Sequence, residues 1–150
     1  MKKIAEEIVD FLDKQNFVIV STIDNKGFPH TSCKGIIKID KRGRITLIDL
    51  YRGKTLENIK QNPYISITAV DEHKFQGYCL KGKGEILPLK KDVSADWGDI
   101  ISKRITQRLL KNIRGEKGHP SHPEVSLPSP KYLIEIEIKE IVNLKPPHIT

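Results

Sequence analysis

Apolar and polar residues alternate along much of the chain with the two-residue period that is typical of β-strands. In the clearest example, Ile65, Ile67 and Ala69 share one face, and hydroxyl-bearing residues share the other. Runs of this kind, or runs rich in β-branched residues, predict six strands, at 17–23, 29–40, 45–50, 64–71, 78–86 and 132–138. Turn-forming residues separate the first three strands closely, which predicts antiparallel pairing.

Three other segments have the helical period. In 3–15 and 94–114, apolar residues recur three and four positions apart, and polar residues occupy the opposite side. A shorter helix, 56–61, ends before Pro63, because proline disfavours helical geometry in the residue that precedes it. The segment 115–130 contains two glycines and four prolines, which predicts a long loop.

These elements predict a mainly β protein, a six-stranded antiparallel barrel with peripheral helices. Short strands with half-polar faces suit a closed or nearly closed barrel, because closure removes exposed strand edges. The helices do not alternate regularly with the strands, which argues against a doubly wound sheet. A chain of 150 residues has the length of one domain, and we expect residues 1–150 to form a single domain.

The charge of the chain favours an anionic partner. It has 26 Lys and Arg against 19 Asp and Glu, a net charge of +7, which attracts phosphorylated cofactors, acidic metabolites or nucleic acid. No stretch approaches the roughly 20 apolar residues of a membrane-spanning helix. Glu6 and Glu7 stand where a secretory signal would be apolar, so we expect a cytoplasmic protein. There Cys33 and Cys79 would stay reduced, and we expect both to be small buried residues.

The segment 52–55, Arg-Gly-Lys-Thr, lies between a strand and the two-turn helix. The first amide groups of a helix have no intrahelical partners, and the helix dipole adds positive charge there. Together with two cations and a hydroxyl group, such amides can bind a phosphate. A Walker P-loop is excluded, because Ile48 stands where its first glycine is required. The alternative, a helix capped by Thr55 beside two solvated cations, explains the same residues equally well.

Two strands contain unusual residues. The segment 29–35, Pro-His-Thr-Ser-Cys-Lys-Gly, has short polar side chains where β-branched ones are expected. Buried polar groups need hydrogen-bond partners, which a ligand would supply; an exposed edge strand is the alternative. In the strand 78–86, Gly82 and Gly84 lack side chains on the inward face. They indicate a bend at a barrel corner, or the close approach of a ligand or a second backbone.

Four motifs carry a resemblance to a known family. They are the polar strand after Pro29-His30, the segment Lys54-Thr55-Leu56-Glu57-Asn58-Ile59, the Asn62-Pro63 stop and the strand Gly77-Tyr78-Cys79-Leu80-Lys81-Gly82. In this arrangement the chain resembles the FMN-binding split-barrel flavoproteins related to pyridoxamine 5'-phosphate oxidase. The resemblance extends from Phe17 to Ile86, with the final strand at 132–144 in the expected place. Its most specific part is the segment 54–59.

The resemblance implies a homodimer with FMN bound at the subunit interface and an oxidoreductase chemistry carried by the flavin. NAD(P)H or another small redox molecule would then be the reaction partner. By position, Lys54 and Thr55 would hold the FMN phosphate with Arg52 nearby, and Asn58 would order this loop.

The resemblance also assigns the rest of the flavin site. The ribityl chain and the edge of the isoalloxazine ring would lie along Thr31, Ser32, Cys33, Lys34 and Gly35. Asp49 and Leu50 would pass under the flavin. Gln76 and Gly77 would correspond to a region in which the oxidases of the family bring a polar side chain from the partner subunit to the flavin.

Two departures distinguish the sequence from pyridoxamine 5'-phosphate oxidases. Their Arg-rich, His-containing C-terminal segment is not matched by residues 145–150, and their two adjacent phosphate-binding cations are replaced by Lys54 and Thr55. Oxidation of pyridoxamine phosphate is therefore not expected. The alternatives are a non-catalytic module that binds flavin, haem or a deazaflavin on the same barrel, and a basic barrel that binds nucleic acid.

Two further groups of residues have simpler interpretations. His119 and His122 could ligate a metal, but prolines interrupt the segment and no Cys or carboxylate stands at ligand spacing, so no metal is expected. The cations of the helix 94–114 could contact nucleic acid. No base-stacking aromatic residues are interleaved with them, which favours a solvated helix face.

Overall fold

The computed structural model describes residues 1–15, 17–49, 53–88 and 132–148. Within these ranges the chain forms the helices α1 (Glu6–Asp13) and α2 (Lys54–Gln61). Its strands are β1 (Val18–Ile23), β2 (Pro29–Asp40), β3 (Arg44–Asp49), β4 (Tyr64–Asp71), β5 (Gln76–Pro88) and β6 (Tyr132–Asn143). The strands pair antiparallel and close into a barrel in the order β1-β2-β3-β6-β5-β4. The predicted fold class, a mainly β protein built on a six-stranded antiparallel barrel, is confirmed.

The hydrophobic pattern predicted most element bounds closely. β2 and β4 have the predicted bounds, whereas α2 begins at Lys54, two residues earlier than predicted, and β6 continues to Asn143. The helix predicted at 94–114 and the loop predicted at 115–130 lie outside the described residues. None of the helices in the described ranges is long and apolar enough to cross a membrane.

Aliphatic side chains from the inward faces of the strands fill the barrel. The fully buried ones are Val18, Val20, Ile45, Leu47, Ile67, Leu80, Ile134, Ile136 and Ile138. α1 adds Leu12 and Phe11 to this core, and the Phe11 ring meets the Tyr78 ring edge-on with centroids 5.2 Å apart. Because each buried aliphatic side chain of this size contributes about 1.5–3 kcal/mol, the apolar interior is the main source of stability.

Of the alternatives that the sequence leaves open at Gly82, the structure shows the close approach of a second backbone. The pairing of β5 with β6 shifts register between Lys81 and Gly82. A Cβ atom at Gly82 would collide with the carbonyl oxygen of Glu137 on β6. At Gly84 the nearest neighbours of such an atom are side chains, with Ile65 Cγ2 at 3.3 Å. The glycine at position 82 therefore lets two strands approach each other where the ladder is irregular.

Candidate functional site

Three elements meet at one end of the barrel: the segment 31–35 of β2, the end of β3 and the N-terminus of α2. We call this cluster the α2 site. The hydroxyl groups of Ser32 and Thr55 form a hydrogen bond of 2.9 Å between β2 and α2. Gly35 pairs with Ile48, so the end of β3 lies beside the same part of β2. The two segments that the sequence singled out separately are therefore in contact.

The N-terminus of α2 has no side-chain cap among the described residues. Its N-cap residue is Gly53, which has extended backbone geometry and makes no side-chain cap hydrogen bond. Gly53 and Lys54 are both exposed. The alternative in which Thr55 caps the helix is wrong, because Thr55 is the second helical residue and its hydroxyl bonds to Ser32. The first amide groups of the helix can thus be reached by an anion.

Two carboxylates moderate the positive charge of Lys54. Its Nζ atom lies 3.5 Å from Oε2 of Glu57, one helical turn further along. The pKa of Asp24, in the turn between β1 and β2, lies below its ordinary value, chiefly because the backbone amide of Phe28 donates to its carboxylate at 2.9 Å. The amide of Lys26 and the charge of Lys54 lower this pKa further. An anion at the helix N-terminus would therefore compete with Glu57 and Asp24 for Lys54.

Buried polar side chains are concentrated where α2 meets the barrel. In the part of the chain that the structure describes, they are Thr22, Thr55 and Asn58, each no more than 2% exposed. Asn58 Nδ2 donates a hydrogen bond of 3.0 Å to Thr22 Oγ1 on β1. Asn58 is thus placed to order α2 from inside. Sequence reasoning missed Thr22, although its position carried a signal: it follows Val18 and Val20 on the inward face of β1, where an apolar residue is expected.

The backbone of β2 changes its pairing within the polar segment. The ladder between β2 and β3, as far as both strands are described, begins at Gly35, whereas the ladder between β1 and β2 covers residues 29–34. The segment 31–33 therefore lies beyond the end of the β2–β3 ladder. Every second residue of such a segment directs its N–H and C=O groups away from β1, where a ligand can accept or donate hydrogen bonds. Thr31 and Cys33 are exposed, and Ser32 and Lys34 are half-buried.

The remaining predicted residues are Leu50, Arg52, Gln76 and Gly77. Leu50 and Arg52 lie outside the described residues. Gln76 and Gly77 begin β5, where Gln76 Nε2 donates to the Tyr78 hydroxyl at 3.4 Å. Further along β5, the amide of Gly84 donates to the carbonyl of Pro63, just beyond the C-terminal end of α2, at 2.7 Å.

One row of outward-facing residues on the barrel carries no charge. Across β2, β1, β4, β5 and β6, strand register aligns Cys33, Ile19, Thr68, Cys79 and Val142 in one row, which we call the uncharged face. Cys33 is exposed and the other four are half-buried, so the expectation that both cysteines are buried was wrong. Strand alternation places Cys79 on the outside, because its neighbours Tyr78 and Leu80 point into the core, and Cys33 shares its row. By contrast, the outer side of β3 and β6 is charged, with Arg44 lying 3.3 Å from Glu135.

A groove of about 430 Å³ lies next to the uncharged face. Its lining includes Ser21, Ile23, Tyr64, Ser66, Lys81 and Glu140. Lys81 lies 3.8 Å from Glu140, and Lys83 Nζ lies 5.5 Å from the centre of the Tyr64 ring. Within the described ranges, no group of three or more His, Cys, Asp or Glu residues is placed to hold a metal ion, and His119 and His122 lie outside those ranges.

Comparison with known proteins identifies relatives along nearly the whole chain. The family model described as pyridoxamine 5'-phosphate oxidase matches residues 4–145. The uncharacterized protein MJ0282 of Methanocaldococcus jannaschii is 26% identical over 145 residues, which cover 95% of this chain and 82% of the relative.

Solved structures of several proteins are similar to this one. HupZ of Group A Streptococcus has a TM-score of 0.66 at 24% identity, with 95% of this chain and 94% of HupZ covered. A Clostridium acetobutylicum protein related to general stress protein 26, of the pyridoxinephosphate oxidase family, has a TM-score of 0.64 at 19% identity, with 96% and 95% covered. A protein named F420 reductase has a TM-score of 0.63 at 14% identity, with 93% and 98% covered. These similarities show a shared fold.

Proposed function

The chain belongs to the pyridoxamine 5'-phosphate oxidase family, and on that basis we propose that it binds FMN at the α2 site and acts as an FMN-dependent oxidoreductase. The observation that carries the proposal is the hydrogen bond between Ser32 and Thr55, which joins the polar strand to the amide end of a helix. FMN, when bound, supplies hydride or electron transfer, and the protein binds and orients it.

The α2 site has the groups that a phosphate monoester requires. The uncapped amides of α2 provide donors, and exposed Lys54 provides a charge. Thr55 is 2% exposed, so we assign it to holding the Ser32 hydroxyl in place, and Ser32 is the hydroxyl that the ligand reaches. Arg52 would add a second cation, and Asn58 fixes the helix from inside.

The polar strand has the groups that the sugar-like chain and the ring edge require. Thr31 and Ser32 offer hydroxyl groups, and the backbone of 31–33 extends beyond the β2–β3 ladder. Cys33, Lys34 and Gly35 complete this strand beside the flavin. Asp49, at the end of β3, and Leu50, the next residue in the sequence, would lie under the ring.

The complete site requires a second copy of the chain. Members of this family are typically dimers with a bound flavin. By the resemblance to the family, Gln76 and Gly77 of one copy would serve the site of the other. We assign the contact between copies to the uncharged face, because its half-buried apolar and hydroxyl-bearing residues carry no charge that a protein interface would have to desolvate.

Oxidation of pyridoxamine phosphate is not the proposed reaction. True oxidases of that substrate hold phosphate with two adjacent cations, whereas this chain has Lys54 followed by Thr55. The second candidate cofactor is a deazaflavin, since one structure with the same fold is named F420 reductase. Both cofactors carry phosphate, so both would use the same helix N-terminus.

The experiment is an absorption spectrum of the purified protein, with and without added FMN or the deazaflavin F420. We expect the yellow flavin bands to remain with the protein after gel filtration, and anaerobic NADH or NADPH to bleach them. Repeated oxidation by an added acceptor would show turnover, and reduction without turnover would favour a carrier. If the protein retains F420 but not FMN, the deazaflavin replaces FMN as the proposed cofactor. A protein that retains neither would contradict the proposal.

A further inference from the structure

Thr22 is a polar residue at a position that the barrel otherwise fills with aliphatic side chains. It follows Val18 and Val20 on the inward face of β1, which are 1% and 0% exposed. Thr22 itself is 2% exposed, and its Oγ1 atom accepts the hydrogen bond from Asn58 Nδ2. A valine of the same shape would satisfy the core without a polar group. The hydroxyl is therefore explained by its bond to α2.

Two hydroxyl groups of the barrel hold successive turns of α2. Thr55 bonds to Ser32 on β2, and Asn58, three residues later and on the same helix face, bonds to Thr22 on β1. A helix of eight residues is too short to be stable alone, so its position depends on tertiary contacts. These two bonds fix the rotation and depth of α2, and with them the direction of its first amide groups.

We propose that Thr22 is a positioning residue for phosphate recognition, acting through Asn58 on the N-terminus of α2. The proposal rests on the proposed binding of FMN at the α2 site. Without the Thr22 hydroxyl, the Asn58 amide must find another partner, and α2 shifts with it. Recognition of the phosphate then weakens, whereas contacts along the polar strand to the rest of the flavin are retained.

The test compares FMN with riboflavin, which has the same ring and side chain but no phosphate. For the wild-type protein and for Thr22→Val, Thr22→Ser and Thr46→Val, both dissociation constants are measured by flavin fluorescence. Thr46, half-buried on β3, gives a control with the same chemical change away from α2. We expect Thr22→Val to lower the preference for FMN over riboflavin about tenfold, the effect of one lost buried hydrogen bond. Thr22→Ser and Thr46→Val should keep the wild-type preference.

Thr22→Val could fold with a lower free energy of unfolding and still keep the wild-type preference for FMN over riboflavin. Thr22 would then have only a structural role, and the proposal would be overturned. If Thr22→Val does not fold, Asn58→Ala removes the same bond from the helix side and is measured in its place. A wild-type protein that binds FMN no better than riboflavin would instead contradict the phosphate site itself. The two failures are therefore distinguishable.

Discussion

The hydroxyl groups of Ser32 and Thr55, 23 positions apart in the sequence, lie 2.9 Å from each other. Thr55 is buried and Ser32 is half-buried, so Thr55 fixes the hydroxyl that a ligand can reach. The same bond ties β2 to the first turn of α2. A helix N-terminus and a strand with polar side chains thereby become one surface, whose local charge and supporting contacts can be tested separately.

Glu57→Gln should tighten FMN binding. Glu57 lies 3.5 Å from Lys54 at an exposed position and competes with a phosphate for its charge. Exposed ion pairs are worth about 0.2–1 kcal/mol, so we expect affinity to rise by a factor of about 1.4 to 5, and less at high salt. Glu7→Gln, in the first turn of α1, makes the same change of charge on the other helix and should have no effect. Fluorescence titration measures both, and a weaker complex for Glu57→Gln would contradict the arrangement.

Ile19→Glu should separate the proposed dimer. Ile19 lies between Cys33 and Thr68 in the uncharged face, where a carboxylate would be buried against the second copy without a partner. We expect monomers in sedimentation velocity and loss of bound FMN. Thr46→Glu, on the outer side of β3, should remain a dimer. A dimer that persists in Ile19→Glu would place the interface elsewhere on the barrel.

Gly82→Ala should destabilise the barrel strongly. Its Cβ would collide with the carbonyl oxygen of Glu137, and a backbone atom in a paired strand cannot move aside. We expect a loss of about 3 kcal/mol in urea unfolding, at the upper end for overpacking. Gly84→Ala provides the comparison, because its nearest neighbour is the movable Ile65 Cγ2 at 3.3 Å. Equal losses in both variants would contradict the close approach of β5 and β6 at Gly82.

Asp40 should titrate with a pKa of about 2, because the Arg42 side chain donates to its carboxylate at 2.8 Å and the Arg42 amide adds a second bond. The ordinary value is 3.8, so folding lowers this pKa. The resulting stabilisation is complete above pH 3.8 and is lost as the pH falls through about 2.

The measurement is NMR titration of the Asp40 carboxyl. Arg42→Gln should raise the pKa of Asp40 towards 3.8 without reaching it, because the backbone donor remains. Lys41→Gln is the control, since Lys41 pairs with Glu6 instead. If Arg42→Gln left the pKa of Asp40 unchanged, the ion pair would not be its cause.

The fold could be predicted from the sequence because a barrel imposes a strict period on its strands. Each inward position of β4 needs an apolar side chain, so Ile65, Ile67 and Ala69 mark the strand directly. The sequence pattern predicts a start of α2 two residues too late, because Lys54 and Thr55 are not apolar and do not extend the helical pattern. Strand alternation also placed Cys33 outside, against the average preference of cysteine for the interior.

The two segments of the α2 site could be predicted from the sequence, but the contact between them could not. The start of the helix and the polar strand each have a local sequence signature. Their contact through Ser32 and Thr55 is a tertiary relationship that no local pattern encodes. Thr22 was missed although its inward position carried a signal, because a threonine in a β-branched run is also an ordinary strand former.

The most direct test of phosphate binding at the start of α2 is to titrate Lys54→Ala and Lys60→Ala with FMN. Both variants remove one lysine from α2, the first at its N-terminus and the second in its last turn. We expect the wild-type protein and Lys60→Ala to bind one FMN per chain with similar affinity. Lys54→Ala should bind at least about tenfold more weakly, because a charge-assisted hydrogen bond to phosphate is lost. Equal affinity in the two variants, or no binding by the wild-type protein, would contradict phosphate recognition at the N-terminus of α2.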